Sequence, residues 1–175
     1  MIDAATTGGC SPVAVVVGAE RDRILAELTE TKEFLVENQT WQRGIGNSIR
    51  AGLRGLLAAY PNTKAIILLA CDQPLVDASI VAGLRAKHVE TKKPIVASSY
   101  AQTLGIPALF ARNYFDDLFV LDDDAGAKQV ILNHKNDVAE YPFPDGAIDI
   151  DTAVDYEQLV RQYDPSASAP EKFAE

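Results

Sequence analysis

The stretch that decides the fold is Ala-Ile-Ile-Leu-Leu-Ala-Cys-Asp-Gln-Pro, residues 65–74. Its six consecutive apolar residues, 65–70, predict a strand buried on both faces, which is typical of a parallel sheet covered by helices. Asp72 follows at the carboxyl end of that strand, and Pro74 turns the chain. Because ligands of open α/β sheets bind at the carboxyl ends of strands, Asp72 is a candidate site residue. A helix cap or a turn residue is the alternative interpretation of this one aspartate.

Short apolar runs alternate with segments of helical periodicity on both sides of that stretch. Strands are predicted at 13–17, 34–37, 65–70, 94–98, 107–110 and 138–143. Helices are predicted at 19–34, from residue 47 or 48 to 60, from 78 onward, and at 113–121, 126–134 and 152–163. Gly105 and Pro107 are interpreted as the bend between the fourth and fifth strands. Strands separated by helices predict βαβ units and a mostly parallel, mixed sheet in an α/β fold.

Three helix starts carry capping signals. Asp77 is predicted to cap the helix that follows it, and Asn47 or Ser48 to cap an earlier one. Thr152 and Asp155 have the spacing of a capping box with Asp in place of Glu. His88 and His134 lie at predicted helix ends, where contacts with the helix dipole explain them.

Composition and charge exclude several classes of protein. A chain of 175 residues with 47% apolar residues suits one domain, predicted at 1–163, with a disordered tail at 164–175. We expect no signal peptide and no membrane-spanning segment, and therefore a cytoplasmic location without a membrane partner. Cys10 and Cys71 are expected to be reduced core thiols.

The net charge of −9 is concentrated in the second half of the chain. Residues 1–90 hold nine basic and ten acidic residues, and residues 91–175 hold seven basic and fifteen acidic residues. Nucleic-acid binding needs a basic surface, so no nucleic-acid partner is expected. The acidic excess is explained either by a solvated face or by carboxylates that hold cations.

A second candidate site is Asp149-Ile150-Asp151-Thr152. Alternation along an extended segment places both aspartates on one side, next to a helix start, which suits a metal–phosphate site. Enrichment of Asp at a helix N-terminus for dipole reasons is the alternative. A third candidate is the loop Gly44-Ile45-Gly46-Asn47-Ser48, where glycines let backbone N–H groups approach a ligand; an ordinary loop and cap is its alternative.

Taken in order, these segments resemble the molybdenum-cofactor nucleotidyltransferases, and among them the cytidylyltransferases. The likeness extends from about residue 12 to 163 and is carried by five pieces: Trp41 with Gly44-x-x-x-Ser48, Cys71-Asp72-Gln73-Pro74, Gly105-Ile106-Pro107-Ala108-Leu109-Phe110, the segment 121–128, and Asp149-Ile150-Asp151-Thr152 with Asp155-Tyr156. Each piece alone is weak, but five in the same order and spacing are a specific signature of this family. The resemblance implies a Rossmann-like three-layer sandwich of the nucleotide-diphospho-sugar transferase type.

The resemblance also implies a reaction and the residues that carry it. The reaction is Mg²⁺-dependent transfer of CMP from CTP, in preference to GTP, to a molybdopterin-type cofactor, with release of pyrophosphate; a molybdoenzyme or its maturation factor would be a further partner. Asp72 and Asp149 would be the catalytic carboxylates, and the metal ligands would be Asp72, Asp149 and Asp151. The nucleotide would be bound by Gly44, Gly46 and Ser48. The acceptor side would comprise Gln73, Pro74, Gly105, Pro107, Gly126 and Lys128.

Two departures from the family pattern stand out. The family's opening strand and its glycine-rich triphosphate loop have no counterpart here, and Met1 corresponds to a position near the end of the family's first helix. A chain that starts late, a degenerate protein and a second chain that supplies the segment are the three explanations. The first is preferred, because a lost central strand exposes unpaired edge groups. The second departure is that Asp123-Asp124 stands where the family has Gly-Asp.

Two other functions remain open on the sequence. Within the same class, the chain would be a guanylyltransferase or another nucleoside triphosphate transferase. Outside that class, it would be a nucleotidyltransferase-like domain that binds or regulates without catalysis, or an acidic interaction domain. Pyrophosphate release separates the enzymes from the binding domain, and nucleotide binding separates both from the interaction domain.

Overall fold

The computed structural model describes residues 1–28 and 34–163. The predicted tail 164–175 and part of the helix predicted at 19–34 lie outside the described residues. The described strands are β1 (Ala14–Val17), β2 (Phe34–Glu37), β3 (Ala65–Leu68), β4 (Ile95–Tyr100), β5 (Thr103–Ala111) and β6 (Val138–Pro142). The described helices are α1 (Ile2–Thr7), α2 (Arg21–Glu27), α3 (Ile45–Ala59), α4 (Ala78–Thr91), α5 (Phe115–Phe119), α6 (Lys128–Asn133) and α7 (Ala153–Tyr163), with short 3₁₀ turns between several elements.

The strands form two separate sheets. β1 and β2 pair in parallel, and a second sheet has the order β3-β5-β4-β6. β5 runs antiparallel to both β3 and β4, while β4 and β6 are parallel. Three of the four strands in the larger sheet therefore point the same way, which confirms a mostly parallel, mixed sheet in an α/β fold.

β4 and β5 form a hairpin whose turn differs from the prediction. The turn lies at Ala101 and Gln102, both at positive φ, whereas Gly105 and Pro107 lie inside β5. The pairing register shifts between Ala97 and Ser98, opposite that part of β5. Pro107 has no backbone N–H, so it is accommodated where the ladder is already interrupted.

Two helix starts also differ from prediction. α3 begins at Ile45 with Gly44 as its cap residue, so neither Asn47 nor Ser48 caps it. α2 begins at Arg21 rather than at residue 19. The caps predicted for α4 and α7 are confirmed, since Asp77 accepts hydrogen bonds from the backbone N–H groups of Ser79 and Ile80.

The core lies against both faces of the larger sheet. On one face, Ile95, Phe110, Leu118 and Ile131 are fully buried together, beneath α3, α5 and α6. On the other face, a smaller cluster includes Leu84 of α4. Among the residues that the structure describes, no helix is long and apolar enough to cross a membrane.

The cysteines differ from the expected pair of core thiols. Both are free, but Cys71 is exposed beside Asp72 and Cys10 is half-buried. Cys71 follows the end of β3, where the chain leaves the sheet, and this position explains its exposure.

Candidate active site

Asp72 lies at the mouth of a large cleft, four residues beyond the end of β3. The cleft has a volume of about 1850 Å³. Five of the residues predicted to form the site line this cleft, namely Asp72, Ser48, Gly105, Gly126 and Lys128. Residues from four separate segments of the chain thus meet at the carboxyl end of β3, where an open α/β sheet binds its ligands.

Asp149 lies next to Asp72. The backbone N–H of Ile150 donates a 2.8 Å hydrogen bond to the carbonyl oxygen of Asp72, which fixes the two segments side by side. Partial burial raises the pKa of the Asp149 carboxyl, and the negative charges of Asp72 and Asp151 raise it further. The three carboxylates of Asp72, Asp149 and Asp151 therefore repel one another. A bound cation would relieve this repulsion.

The Asp149–Asp151 segment is held by the start of α7. Thr152 and Asp155 form the predicted capping box: the Thr152 N–H donates to Asp155 Oδ2 at 2.8 Å, and the Asp155 N–H donates to Thr152 Oγ1 at 3.2 Å. The Thr152 hydroxyl also donates to Asp155 Oδ2, at 2.8 Å, and together with the Thr152 N–H it lowers the pKa of the Asp155 carboxyl. The Asp155 carboxylate therefore caps α7, whereas Asp149 and Asp151 are the carboxylates of this segment that do not form the cap.

A buried glutamine ties Asp72 to the hairpin. Gln73 Nε2 donates to the carbonyl oxygens of Ile106 and Gly146, at 3.2 and 2.9 Å. Ser98 Oγ donates to the carbonyl oxygen of Pro107 at 2.7 Å. Side chains thus satisfy the carbonyl groups of the interrupted part of β5, and Gln73 is a bracing residue here. Gln73 Oε1 is buried and accepts no hydrogen bond among the described residues.

Tyr100 is a site residue that the sequence did not indicate. Its hydroxyl donates to the Ile106 carbonyl at 2.9 Å. Burial raises its pKa, and the nearby negative charges of Asp149 and Asp72 add to that effect. A Cβ at Gly105 would lie 2.3 Å from the Tyr100 hydroxyl oxygen. Gly105 is therefore needed to make room for Tyr100, and no pattern around residue 100 signals this.

The loop at Gly44 packs closely against the acidic loop 122–125. Gly44 has φ 123°, and its absent Cβ would lie 2.4 Å from the Asp123 carbonyl oxygen. The Gly46 N–H donates to that same oxygen at 2.8 Å, so it is not available to a ligand. Of the three residues predicted to bind nucleotide, Ser48 lines the cleft, while the two glycines serve the packing of the two loops.

Two arginines hold the acidic loop in place. Arg43 Nε donates to Asp123 Oδ2 at 2.8 Å, and the Arg50 guanidinium binds Asp123 Oδ1 and the Leu121 carbonyl oxygen. These hydrogen bonds lower the pKa of Asp123. Asp123, which stands where the resembled family has glycine, therefore clamps this loop to the start of α3.

Asn38, buried at the end of β2, orients Ser48. Its Nδ2 donates to Ser48 Oγ at 3.0 Å, and its Oδ1 accepts from the Thr40 N–H at 3.1 Å. Ser48 is thus positioned from inside the fold. It makes no cap for α3 because the helix already begins at Ile45. The remaining predicted residues lie around the rim: Pro74 and Lys128 are exposed, Gly126 is half-buried, and Pro107 is buried in β5.

A divalent cation fits the donor set at Asp72 and Asp149. Among the described residues, no group of three or more His, Cys, Asp and Glu side chains is arranged to hold a metal ion by itself. Mg²⁺ commonly needs only one or two carboxylates, because substrate phosphates and waters complete its shell. Asp72, which lines the cleft, and the neighbouring Asp149, which has a raised pKa, match that kind of site.

Comparison with known proteins identifies the family. The family model for the MobA-like NTP transferase domain matches residues 1–138. The chain belongs to this family. The matched residues include four of the five sequence pieces, since the match ends before Asp149. The Rossmann-like α/β fold expected from the resemblance is confirmed.

Two curated relatives are similar to parts of this chain. The chain is 30% identical over 145 residues to the bifunctional protein GlmU of Sorangium cellulosum, which covers 80% of this chain and 28% of that protein. It is 31% identical over 116 residues to nicotine blue oxidoreductase of Paenarthrobacter nicotinovorans, which covers 64% of this chain and 53% of that protein. The chain spans about half or less of the length of these relatives. The two names describe different kinds of chemistry, so similarity to these relatives does not by itself assign a reaction to this chain.

A solved structure supports the same fold. The crystal structure of Rv0371c from Mycobacterium tuberculosis H37Rv, in complex with manganese, matches with a TM-score of 0.73 at 24% identity. The match covers 91% of this chain and 83% of that one. The MobA-like architecture is therefore shared over nearly the whole described chain.

Proposed function

We propose that this chain is a metal-dependent nucleotidyltransferase that transfers CMP from CTP to a molybdopterin-type acceptor and releases pyrophosphate. The observation that carries the proposal is the meeting of Asp72 and Asp149 at the carboxyl end of β3, where charge repulsion contributes to the raised pKa of Asp149. Family membership supports nucleotidyl transfer as the reaction class.

Asp72 and Asp149 would hold the cation, and Asp151 would add negative charge beside them. Mg²⁺ is the proposed ion, in keeping with two carboxylates and substrate phosphates as ligands; the manganese in the related crystal structure supports a divalent cation. When bound, the cation would neutralise negative charge on the phosphate groups of the substrates. Tyr100 would brace the pair from the hairpin side, since its hydroxyl is held by the Ile106 carbonyl.

The transfer itself needs no protein nucleophile. A phosphate oxygen of the acceptor attacks the α-phosphorus of CTP, and the bond from that phosphorus to the oxygen bridging to the β-phosphate breaks. The electron pair leaves with pyrophosphate, so atoms and charge balance. The protein's part is to align the acceptor with the leaving group and to screen their charges, which are the main contributions to phosphoryl and nucleotidyl transfer.

The two substrates would enter from different sides of the cleft. Ser48 and the loop Gly44–Gly46 would face the cytosine base, with the glycines setting the loop's path. The acceptor would contact the other group of residues, namely Gln73, Pro74, Gly105, Pro107, Gly126 and Lys128. Lys128 is exposed at the cleft and can attract the acceptor's phosphate from solvent. The likeness to MobA in the family's description supports a molybdopterin-type acceptor.

The test is pyrophosphate release measured with CTP, with GTP as comparison, in the presence and absence of Mg²⁺ and of a molybdopterin acceptor. We expect release that needs CTP, Mg²⁺ and acceptor together, and a loss of at least about a hundredfold in Asp72→Asn and Asp149→Asn. Asp145→Asn is the matched control, because Asp145 is an exposed aspartate in the same part of the chain. It should retain the wild-type rate.

Other outcomes separate the alternatives. Release with GTP alone would replace cytidylyl by guanylyl transfer. Binding of nucleotide to a folded sample without pyrophosphate release, with every acceptor tried, would contradict the proposed reaction in favour of a binding domain. Full activity in Asp72→Asn would show that the carboxylate pair is wrongly assigned.

A further inference from the structure

The side chain of Tyr100 lies where the β4–β5 hairpin packs against the segment that carries Asp149. Its hydroxyl donates to the Ile106 carbonyl oxygen at 2.9 Å. A Cβ at Gly146, three residues before Asp149, would lie 2.7 Å from Cδ1 of the Tyr100 ring. Because the ring packs this closely on the Gly146 backbone, the phenol is held in a fixed position next to the Asp149 segment.

The Tyr100 hydroxyl can release the Ile106 carbonyl without leaving that oxygen unpaired. The same oxygen also accepts a hydrogen bond from Gln73 Nε2, at 3.2 Å. A backbone carbonyl has two lone pairs, and one donor is enough to satisfy it when it is buried. Rotation of the Tyr100 O–H bond therefore makes a donor available to a ligand while Gln73 keeps the Ile106 carbonyl bonded.

The hydroxyl end of Tyr100 lies at the wall of the cleft. Tyr100, Gly105 and Asp72 all line this space of about 1850 Å³. A Cβ at Gly105 would lie 2.3 Å from the Tyr100 hydroxyl oxygen, so this oxygen lies directly against the glycine backbone. Since Gly105 itself lines the cleft, the hydroxyl is within reach of a ligand bound there.

A hydrogen-bond donor is what a phosphate group needs next to the two carboxylates. Ionised Asp72 and Asp149 are acceptors only, and the oxygens of a phosphate group are acceptors as well. A phosphate bound beside them therefore needs a cation or a protein donor. Burial, and then the negative charges of Asp149 and Asp72, raise the pKa of Tyr100, so the phenol keeps its proton at neutral pH and can donate.

We propose that Tyr100 is a further substrate-binding residue, whose hydroxyl donates a hydrogen bond to a phosphate oxygen of the acceptor. This inference rests on the proposed function, because it assigns Tyr100 to the acceptor of that reaction. The acceptor is preferred to the nucleotide because Tyr100 belongs to the same hairpin as Gly105, whereas Ser48 lies on α3. The bond would hold the phosphate beside Asp72 and Asp149 through an oxygen other than the attacking one.

Removal of the hydroxyl alone separates a binding role from a structural one. Tyr100→Phe keeps the ring and its packing on Gly146, and the Ile106 carbonyl keeps its bond from Gln73. We therefore expect Tyr100→Phe to change Tm by less than about 2 °C, because no buried polar group loses its last partner. A hydroxyl that only stabilised the hairpin would instead change Tm and leave ligand binding as it is.

The direct test follows Tyr100 by fluorine NMR in the full chain, labelled with fluorotyrosine, in the presence of Mg²⁺ and without nucleotide. The chain has six tyrosines, and the Tyr100 signal is the one that is missing from Tyr100→Phe. The probe is phenyl phosphate, and phenol is the matched probe without a phosphate group. We expect phenyl phosphate, but not phenol, to shift the Tyr100 signal saturably, and to bind Tyr100→Phe at least about tenfold more weakly.

The matched control is Tyr141→Phe. Tyr141 is half-buried like Tyr100, but it lies on β6 and is not among the described residues that line the cleft. This variant should bind phenyl phosphate as the wild type does. In turnover, Tyr100→Phe should raise the KM for the acceptor about tenfold and leave the KM for CTP within about twofold, because only a contact with the acceptor is lost.

Two results would overturn the inference. A Tyr100 signal that shifts with CTP but not with phenyl phosphate would assign the hydroxyl to the nucleotide. Unchanged affinity of Tyr100→Phe for phenyl phosphate would show that the hydroxyl serves the hairpin alone. If Tyr100→Phe does not fold, Gly105→Ala serves in its place, because its methyl group would displace the Tyr100 hydroxyl and should weaken phenyl phosphate binding in the same way.

The binding measurements need no turnover, so this inference and the proposed reaction can fail separately. A wild-type chain that binds phenyl phosphate at Tyr100 but releases no pyrophosphate would contradict the reaction alone. A chain that releases pyrophosphate with CTP and acceptor, and does so equally well as Tyr100→Phe, would contradict the role of Tyr100 alone.

Discussion

At the scale of single residues, partial burial raises the pKa of Asp149 most, and the negative charges of Asp72 and Asp151 raise it further. The raised pKa of Asp149 means that the folded chain binds a proton there more tightly than the unfolded chain does. Without metal, stability contributed by this group is therefore present at low pH, and it is lost as pH rises from the ordinary aspartate pKa through the raised value. A cation that binds Asp149 restores that loss at neutral pH.

Replacing Asp149 by Asn should accordingly stabilise the metal-free chain while abolishing turnover. We expect Asp149→Asn to raise Tm at pH 7 by about 1–2 °C, because it removes one of three mutually repelling charges at a largely solvated site. The increase should disappear once the pH falls below the ordinary aspartate pKa, because the wild-type carboxyl is then protonated. Thermal unfolding followed by circular dichroism at several pH values measures this.

The control is addition of Mg²⁺ to both proteins. The wild type should gain more in Tm than Asp149→Asn, since the variant has lost one of the carboxylates proposed to bind the cation. A lower Tm for Asp149→Asn at pH 7 in metal-free buffer would contradict the account.

At the scale of elements, helix α4 depends on its N-terminal cap. Asp77 Oδ1 accepts from the N–H groups of Ser79 and Ile80 at 2.8 and 3.0 Å, and also from the Ser79 hydroxyl, which lowers its pKa. Asp77→Ala should cost about 1 kcal/mol, or about 2–4 °C in Tm, while Asp77→Asn should cost much less because it keeps the acceptor oxygen. Urea unfolding of both variants measures the difference. Equal losses would show that charge, rather than the cap, provides the stabilisation.

The contribution of Asp77 also has a defined pH dependence. Because its pKa is lowered in the folded state, its stabilisation is complete above the ordinary aspartate pKa and is lost as pH falls through the folded-state value. The wild type and Asp77→Ala should therefore converge in stability on acidification. This direction is opposite to that expected for Asp149.

The ion pairs of Asp123, which hold the acidic loop 122–125 in place, lead to a second prediction at this scale. Asp123 joins Arg43 and Arg50, while its carbonyl oxygen holds the Gly46 N–H. Asp123→Asn should loosen the two loops and speed amide exchange at Gly46 about tenfold, because the guanidinium groups lose their ionised acceptor. Asp122→Asn is the matched control, since Asp122 is exposed and its role is through its backbone carbonyl. Unchanged exchange in Asp123→Asn would show that the backbone contacts suffice.

At the scale of the whole molecule, the two sheets should differ in local stability. The sheet β1–β2 has one strand pair and rests mainly on α3, whereas the four-stranded sheet is covered on both faces. Isolated two-stranded sheets are marginal in water. We expect amides of Val15 and Val17 to exchange at least about a hundredfold faster than those of Val96 and Leu109, as measured by native-state hydrogen exchange. Equal protection would show one cooperative unit.

Much of the fold could be predicted from local patterns. β3 and β6, the start of α4 and the capping box of α7 follow from apolar runs and from capping residues at fixed spacing. These patterns succeed because periodicity and caps depend on neighbours in sequence. The placement of Asp72 at a strand's carboxyl end followed in the same way, from six apolar residues and the aspartate after them.

The features that were predicted wrongly depend on contacts with other segments of the chain. Gly105 and Pro107 were expected in a bend, but they lie in β5 because Ser98 and Gln73 satisfy the interrupted backbone there. Ser48 was expected to cap α3, but it is bonded instead by Asn38, ten residues earlier. Cys71 was expected in the core, but the chain has already left the sheet at that point.

The sequence by itself determined the alternation of strands and helices, the caps, the family signature and the candidate carboxylates, because each is written in residues close together along the chain. Only the tertiary structure decided that Asp149 lies beside Asp72, that the Tyr100 phenol lies near both, and that Asp123 joins two loops. The physical reason is that pKa shifts, close packing and strand pairing depend on distances between residues far apart in sequence. Those distances are set by how the elements pack, and no local pattern encodes them.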